Sequence, residues 1–248
     1  MAEQKHLKVE LIRYTPDPEE TVALGAKLCY SKSTVSELKQ KIEAKDQQEF
    51  IGRLIRMGHE SALEHVTFTF GIEGVSRALL AQITRHRLAS FNVQSQRYVS
   101  YENGFGYIVP PRIEALGPIA IRLFRKQMDI LQEWYLEWQA LLGDGEGSNE
   151  DARFVLPNAC ETRMLVTMNA RELRHFFSLR MCNRAQWEIR ALAEEMHRIC
   201  MGVAPMLFAD AGPECLRGKC GEGEKSCGRM AEMKEKRDTL LREISNGK

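Results

Sequence analysis

The chain has 248 residues, 44% of them hydrophobic, and its 35 Lys+Arg against 34 Asp+Glu give a formal net charge of +1. That supplies a substantial core but lacks the basic excess of a protein that coats nucleic acid or anionic membrane, so an anion site has to be a local cluster. No stretch approaches about 18 uninterrupted apolar residues, Met1 to Glu10 is polar, and seven scattered cysteines suit a reducing compartment; a globular cytoplasmic protein is expected.

His6 to Tyr14 alternates and predicts a strand. Pro18-Glu19-Glu20 opens a helix to about Tyr30, with Pro and acids in the first turn where they fit best. Ser33 to Met57 is helical in pattern with a break near Lys45-Asp46, and Gly58 ends it. Val66 to Ile72 is β-branched, aromatic and alternating, a strand. Val75 to Arg85 reads as a helix, followed by polar, irregular chain to Tyr101 and a break at Pro110-Pro111. Ile119 to Leu142 is a long amphipathic helix closed by a linker, residues 143–148. A short helix over Asn149 to Val155, a strand over Thr162 to Thr167, and helices over Ala170 to Leu179 and Ala185 to Cys200 follow. Helices outnumber strands and do not alternate with them as in a doubly wound sheet, so the class is α+β, a helix-rich domain with a small sheet. We expect that domain over residues 1–212 and a Cys-containing charged tail over 213–248.

The densest chemistry is Arg85-His86-Arg87 followed by Ser90, Asn92, Gln94, Ser95, Gln96, Arg97 and Tyr98. Planar guanidinium forks with serine and amide donors suit an anionic ligand, and a solvated basic turn explains the same composition. A single-strand nucleic-acid binder with Phe91, Tyr98 and Tyr101 as stacking platforms is the rival from another class. His59-Glu60-Ser61-Ala62-Leu63-Glu64-His65 has Leu63 where a helical zinc motif needs its second histidine, so no metal is expected there. Arg153, Asn169, Arg171, His175 and Arg180 form a third group, with Arg171 and His175 on one helix face. By spacing alone, Arg180 is a cation at a helix C-terminus with an ordinary dipole explanation. Cys215, Cys220 and Cys227 lack a fourth ligand after them and read as a mobile reduced tail; Cys29, Cys160, Cys182 and Cys200 read as small core residues. Neither a Rossmann fingerprint nor a Walker loop occurs.

Arg85-His86-Arg87, seven residues and then Ser95 form an R-H-R-x7-S pattern that resembles the signature of the flavin-dependent thymidylate synthases. Gly58-His59-Glu60-Ser61, Asp151-Ala152-Arg153, Asn169-Ala170-Arg171 and Leu179-Arg180 through Ala185-Gln186-Trp187-Glu188 resemble further family segments in order, from about His6 to Gly212. The resemblance implies a homotetramer with interfacial active sites, FAD as cofactor, and dUMP, 5,10-methylenetetrahydrofolate and NADPH as substrates, with neither nucleic acid nor membrane as partner. It implies that FAD meets Ser61, Arg85, His86, Arg87, Asn169, Arg171 and His175. It assigns dUMP to Gln82, Arg85, Gln94, Ser95, Gln96 and Arg97, with Arg153 on the phosphate and His59 helping to place the folate. Arg180 would be catalytic, facing the uracil ring and favouring its ionised form. Val93 stands where many members carry an acid, and Arg184 where some have histidine.

Overall fold

The structure is a computed structural model describing residues 1–143 and 145–246. Asp144 of the expected linker and residues 247–248 of the expected charged tail lie outside the described residues. In chain order the elements are β1 (Glu3–Gln4), β2 (Lys8–Tyr14), α1 (Pro18–Leu28), α2 (Val35–Glu43), α3 (Gln48–Arg56), β3 (Thr67–Ser76), α4 (Arg77–Ile83), β4 (Ala89–Val93) and β5 (Gly106–Tyr107). Then come α5 (Pro111–Glu114), α6 (Pro118–Leu142), α7 (Glu146–Ala152), β6 (Glu161–Asn169), α8 (Ala170–Arg180), α9 (Trp187–Val203), α10 (Pro205–Phe208) and α11 (Met230–Asn246). The class is α+β, as expected. β1 and β5 pair in parallel, Glu3 with Gly106 and Gln4 with Tyr107, and β2, β3, β6 and β4 make a four-stranded sheet in that order.

Local causes explain most boundaries. The helical run from Ser33 does break, because two sets of end signals meet. Thr34 caps α2 in a reciprocal capping box with Glu37, and Asp46 accepts from Gln48 N at 2.8 Å at the start of α3. α3 closes with Gly58 at φ +73°, Gly58 N donating to Ile55 O and His59 N to Leu54 O at 3.0 and 2.9 Å. That paired closure needs a left-handed residue, which glycine supplies without steric cost.

Three expectations shift. β3 continues through Val75 to Ser76, whose Oγ accepts from Leu79 N at 3.1 Å, so α4 starts at Arg77 and not at Val75. The stretch after Arg85 is not irregular throughout: it contains β4, an element whose polar residues mask the strand pattern. α7 begins at Glu146, inside the expected linker, because the buried Asn149 is fastened there: Tyr135 Oη and Gln139 Nε2 donate to its Oδ1 at 3.2 and 2.6 Å, and its own amide donates to Arg97 O at 3.0 Å.

The chain divides into two compact units: residues 1–10, 71–85 and 91–166, and residues 11–70, 86–90 and 167–248. The first has a core of Ala2, Phe105, Tyr107, Val109, Met128 and Cys160. In the second, Phe208 meets Phe68 edge-on at 5.5 Å and Phe177 at 5.9 Å, and Phe176 and Phe177 are fully buried, as expected of them. The tail belongs to this second unit; it carries α11 and buries Cys215 beside Leu216 and Met233, so it is folded and not the loose segment expected. Cys160 and Cys200 are buried as expected, whereas Cys29 is exposed and Cys182 half-buried. Among the described residues no helix is long and apolar enough to cross a membrane.

Candidate functional site

The second unit gathers His59, Ser61, His86, Arg87, Asn169, Arg171, His175 and Arg180. Within Arg85-His86-Arg87 the flanking arginines are exposed while His86 is 6% exposed. Arg180 Nε donates to His86 Nε2 at 3.0 Å. A guanidinium has no acceptor, so Nε2 carries the lone pair, and the proton sits on Nδ1, which donates to Glu172 Oε1 at 3.0 Å. The ring stands edge-on to Phe176 at 5.0 Å and to His175 at 6.1 Å. Burial pulls the His86 pKa below its usual value despite the opposing hydrogen bond that His86 donates to Glu172, with Arg180 and His175 pulling the same way as burial. The imidazole is thereby kept neutral, in the tautomer that accepts from Arg180.

Nothing in the sequence pattern sets Glu172 apart. Its position three residues after the N-cap Asn169, whose Oδ1 accepts from Glu172 N at 2.8 Å, reads as ordinary first-turn chemistry. Arg174 is equally inconspicuous by spacing. It is 4% exposed, donating to Leu207 O at 2.6 Å, to both carboxylate oxygens of Asp210 at 2.7 and 3.3 Å, and to Glu60 at 3.3 Å. It locks α8, the Glu60 loop and the end of α10 together, which holds the helix that ends in Arg180.

A cleft of about 360 Å³ in the same unit is lined by His59, Ser61, His65, Tyr30 and Arg171, among others. Arg171 donates to the Glu64 carboxylate. His59, Ser61 and Arg171, each expected to contact FAD or folate, therefore share one concavity although Arg171 is remote from the other two along the chain.

The first unit gathers Gln82, Arg85, Gln94, Ser95, Gln96, Arg97 and Arg153. Arg97 Nη2 donates to Glu146 Oε1 at 2.5 Å, and Arg153 Nε donates to Glu150 O at 3.0 Å. Glu150 carboxylate oxygens lie 3.1 Å from Arg97 Nε and 3.9 Å from Arg153 Nη2, so these two arginines, both expected at dUMP, face one acid. The 3.1 Å approach is out of line for a hydrogen bond, and Arg97 Nε is left buried without an acceptor. Ser95 Oγ accepts from Arg97 N at 3.2 Å. Gln94 N donates to Arg163 O at 2.9 Å, and Gln82 Nε2 reaches Ala78 O at 3.4 Å. Gln96 is buried and spends its amide on Cys160 Sγ at 3.6 Å, turning toward the core of the unit. Tyr101 packs edge-on against Phe105 and Tyr135 at 6.4 and 5.9 Å, which removes it as a stacking platform for the rival nucleic-acid reading.

His86 and His197 both have pKa values lowered chiefly by burial. Below about pH 6.5 the unfolded chain protonates at these positions while the folded chain resists. Their contribution to stability is therefore complete above that pH and is lost as pH falls toward the depressed folded values. The urea midpoint is expected to drop between pH 7.5 and about 5.5, less so in His197→Asn; a flat profile would contradict it.

A family model described as "Thymidylate synthase complementing protein" matches residues 10–206. The flavin-dependent thymidylate synthase of Geobacter sulfurreducens is 51% identical over 240 residues, covering 96% of this chain and 100% of the relative. That of Pyrococcus horikoshii is 42% identical, covering 88% and 91%. Among solved structures, the UMP/dUMP methylase PolB from Streptomyces cacaoi, bound with 5-Br dUMP, has the same fold at a TM-score of 0.69 and 24% identity, covering 83% of this chain and 95% of that one.

Proposed function

Because the chain belongs to the flavin-dependent thymidylate synthase family, we propose that it makes dTMP from dUMP in the cytoplasm, with FAD as cofactor, 5,10-methylenetetrahydrofolate as one-carbon donor and NADPH as reductant. The observation that carries the reading is the Glu172–His86–Arg180 chain. It spends a buried carboxylate and a neutral imidazole on orienting one guanidinium at a helix end, more than a surface cation there requires.

Arg180 is assigned to the uracil ring, where a permanent cation stabilises the negative charge that makes C5 nucleophilic. Arg97 and Arg153 are assigned to the phosphate, which would displace Glu150 and give the orphaned Arg97 Nε an acceptor. Gln82, Gln94 and Ser95 are assigned to the rest of the nucleotide, shared with Arg85, and His59 to the folate. The donors fit a flavin dinucleotide: Ser61 and Arg171 open on one cleft, and Arg85, Arg87, Asn169 and His175 add cationic and amide capacity beyond what a mononucleotide needs. When bound and reduced, the flavin supplies the hydride that completes the methyl group.

No cysteine is assigned a covalent role. Burial pushes the Cys160 thiol up to about 11 and Cys200 well above its usual value, so both stay protonated at neutral pH. The assembly is proposed to be a homotetramer with interfacial active sites, in keeping with the family resemblance.

The purified protein is expected to be yellow, to release FAD and not FMN on denaturation, and to scatter light as four chains. A colourless protein that FAD does not reconstitute would remove the reading, and an active monomer would remove the tetramer.

A further inference from the structure

The tail thiols Cys215, Cys220 and Cys227 lack a fourth ligand downstream, but the fold brings one from upstream. Cys182 lies between α8 and α9, and that connection is fastened to the tail at three points. Asn183 Nδ2 donates to Cys227 Sγ at 3.8 Å, Arg184 Nη1 donates to Lys225 O at 2.7 Å, and Arg184 Nε lies 3.2 Å from Glu222 Oε2. Cys215 is buried with Leu216 and Met233, and Cys220 packs against that same cluster. The intervening chain folds back so that a Cβ at Gly221 would meet the end of the Glu214 side chain. A Cβ at Gly212 would lie 2.8 Å from Leu216 Cδ1 and 3.8 Å from Met181 Cε, so the segment that carries Cys215 lies against the residue before Cys182.

From this convergence we propose that Cys182, Cys215, Cys220 and Cys227 bind one zinc ion as a four-thiolate site that clamps the tail to the end of the helix carrying Arg180. Four thiolates with no open position are the closed, tetrahedral set of a structural zinc site. Among the described residues no group of three or more His, Cys, Asp or Glu is placed to hold a metal ion, so the proposed site requires the four sulfurs to move inward on binding. Zn²⁺ displaces one proton from each thiol, leaving a tetrathiolate of net charge −2 and four protons in solution. The Asn183 amide on Cys227 is already the kind of outer-sphere N–H donor that stabilises such a sulfur. Lys219, Lys225 and Arg184 flank the ligands in sequence and offset the charge. The inference is independent of the flavin reading, since none of the four thiols is assigned to substrate or cofactor.

The test is elemental analysis of the full-length protein purified from zinc-supplied cells. About one zinc per chain is expected, together with the strong visible bands of a tetrahedral tetrathiolate when cobalt replaces it. Cys182→Ser and Cys227→Ser should each lower bound zinc by about tenfold or more, while Cys29→Ser keeps it. Cys227 is exposed, so its variant reports even if replacement of the buried Cys215 prevents folding. Folded, zinc-supplied protein without zinc, zinc that persists in Cys182→Ser, or disulfides among the four cysteines would each overturn the site.

Discussion

Arg180→Ala is expected to lower dTMP formation by about 10²–10³-fold, or roughly 3–4 kcal/mol of barrier, while the protein keeps its bound flavin. That magnitude is what one preorganised donor contributes where charge develops. Preorganisation is visible here: Arg180 is held through Nε by a histidine whose tautomer Glu172 dictates. The loss should fall on kcat more than on dUMP affinity, because the phosphate is assigned to Arg97 and Arg153. Steady-state kinetics beside a flavin absorbance spectrum separate the outcomes. Near-normal turnover would reduce Arg180 to a cation stabilising a helix end, and loss of flavin together with activity would move it into the cofactor site.

Arg174→Ala should be the more damaging change to stability, by about 3 kcal/mol, corresponding to a fall in Tm of roughly 10 °C. Arg174 is nearly fully buried, and its guanidinium serves a backbone carbonyl and two carboxylates from distant segments. Removing it leaves Leu207 O and the acids without their donor. The figure is taken at the low end for a broken buried pair because Glu60 and Asp210 keep 29% and 39% of their side-chain surface and can be rehydrated. Thermal unfolding followed by circular dichroism checks it. A shift of about 2 °C or less would mean that the network contributes little beyond a surface pair.

Elements with a cause inside a few neighbouring residues are legible in the order of amino acids alone. Pro18 with Glu19 and Glu20 starts α1, Gly58 closes α3, and the alternation of Val66 to Ile72 marks β3. The family is legible too, because R-H-R-x7-S and the segments that follow it are patterns of residue type and order. β4 is hidden because Ala89 to Val93 includes Ser90 and Asn92, and what makes it a strand is its place in the sheet beside β6. The same reason governs the site. Glu172 looks like a first-turn acid and Arg174 like a helix cation until packing sets one against His86, 86 residues away, and the other against Asp210. Cys182 stands too far from Cys215 along the chain for any ligand spacing to link them, yet the connection after α8 lies against the tail. Periodicity and caps report hydrogen bonds closed within about four residues. The partners that orient His86, bury Arg174 and gather the thiols are chosen by long-range packing, which residue order alone does not encode in any local pattern.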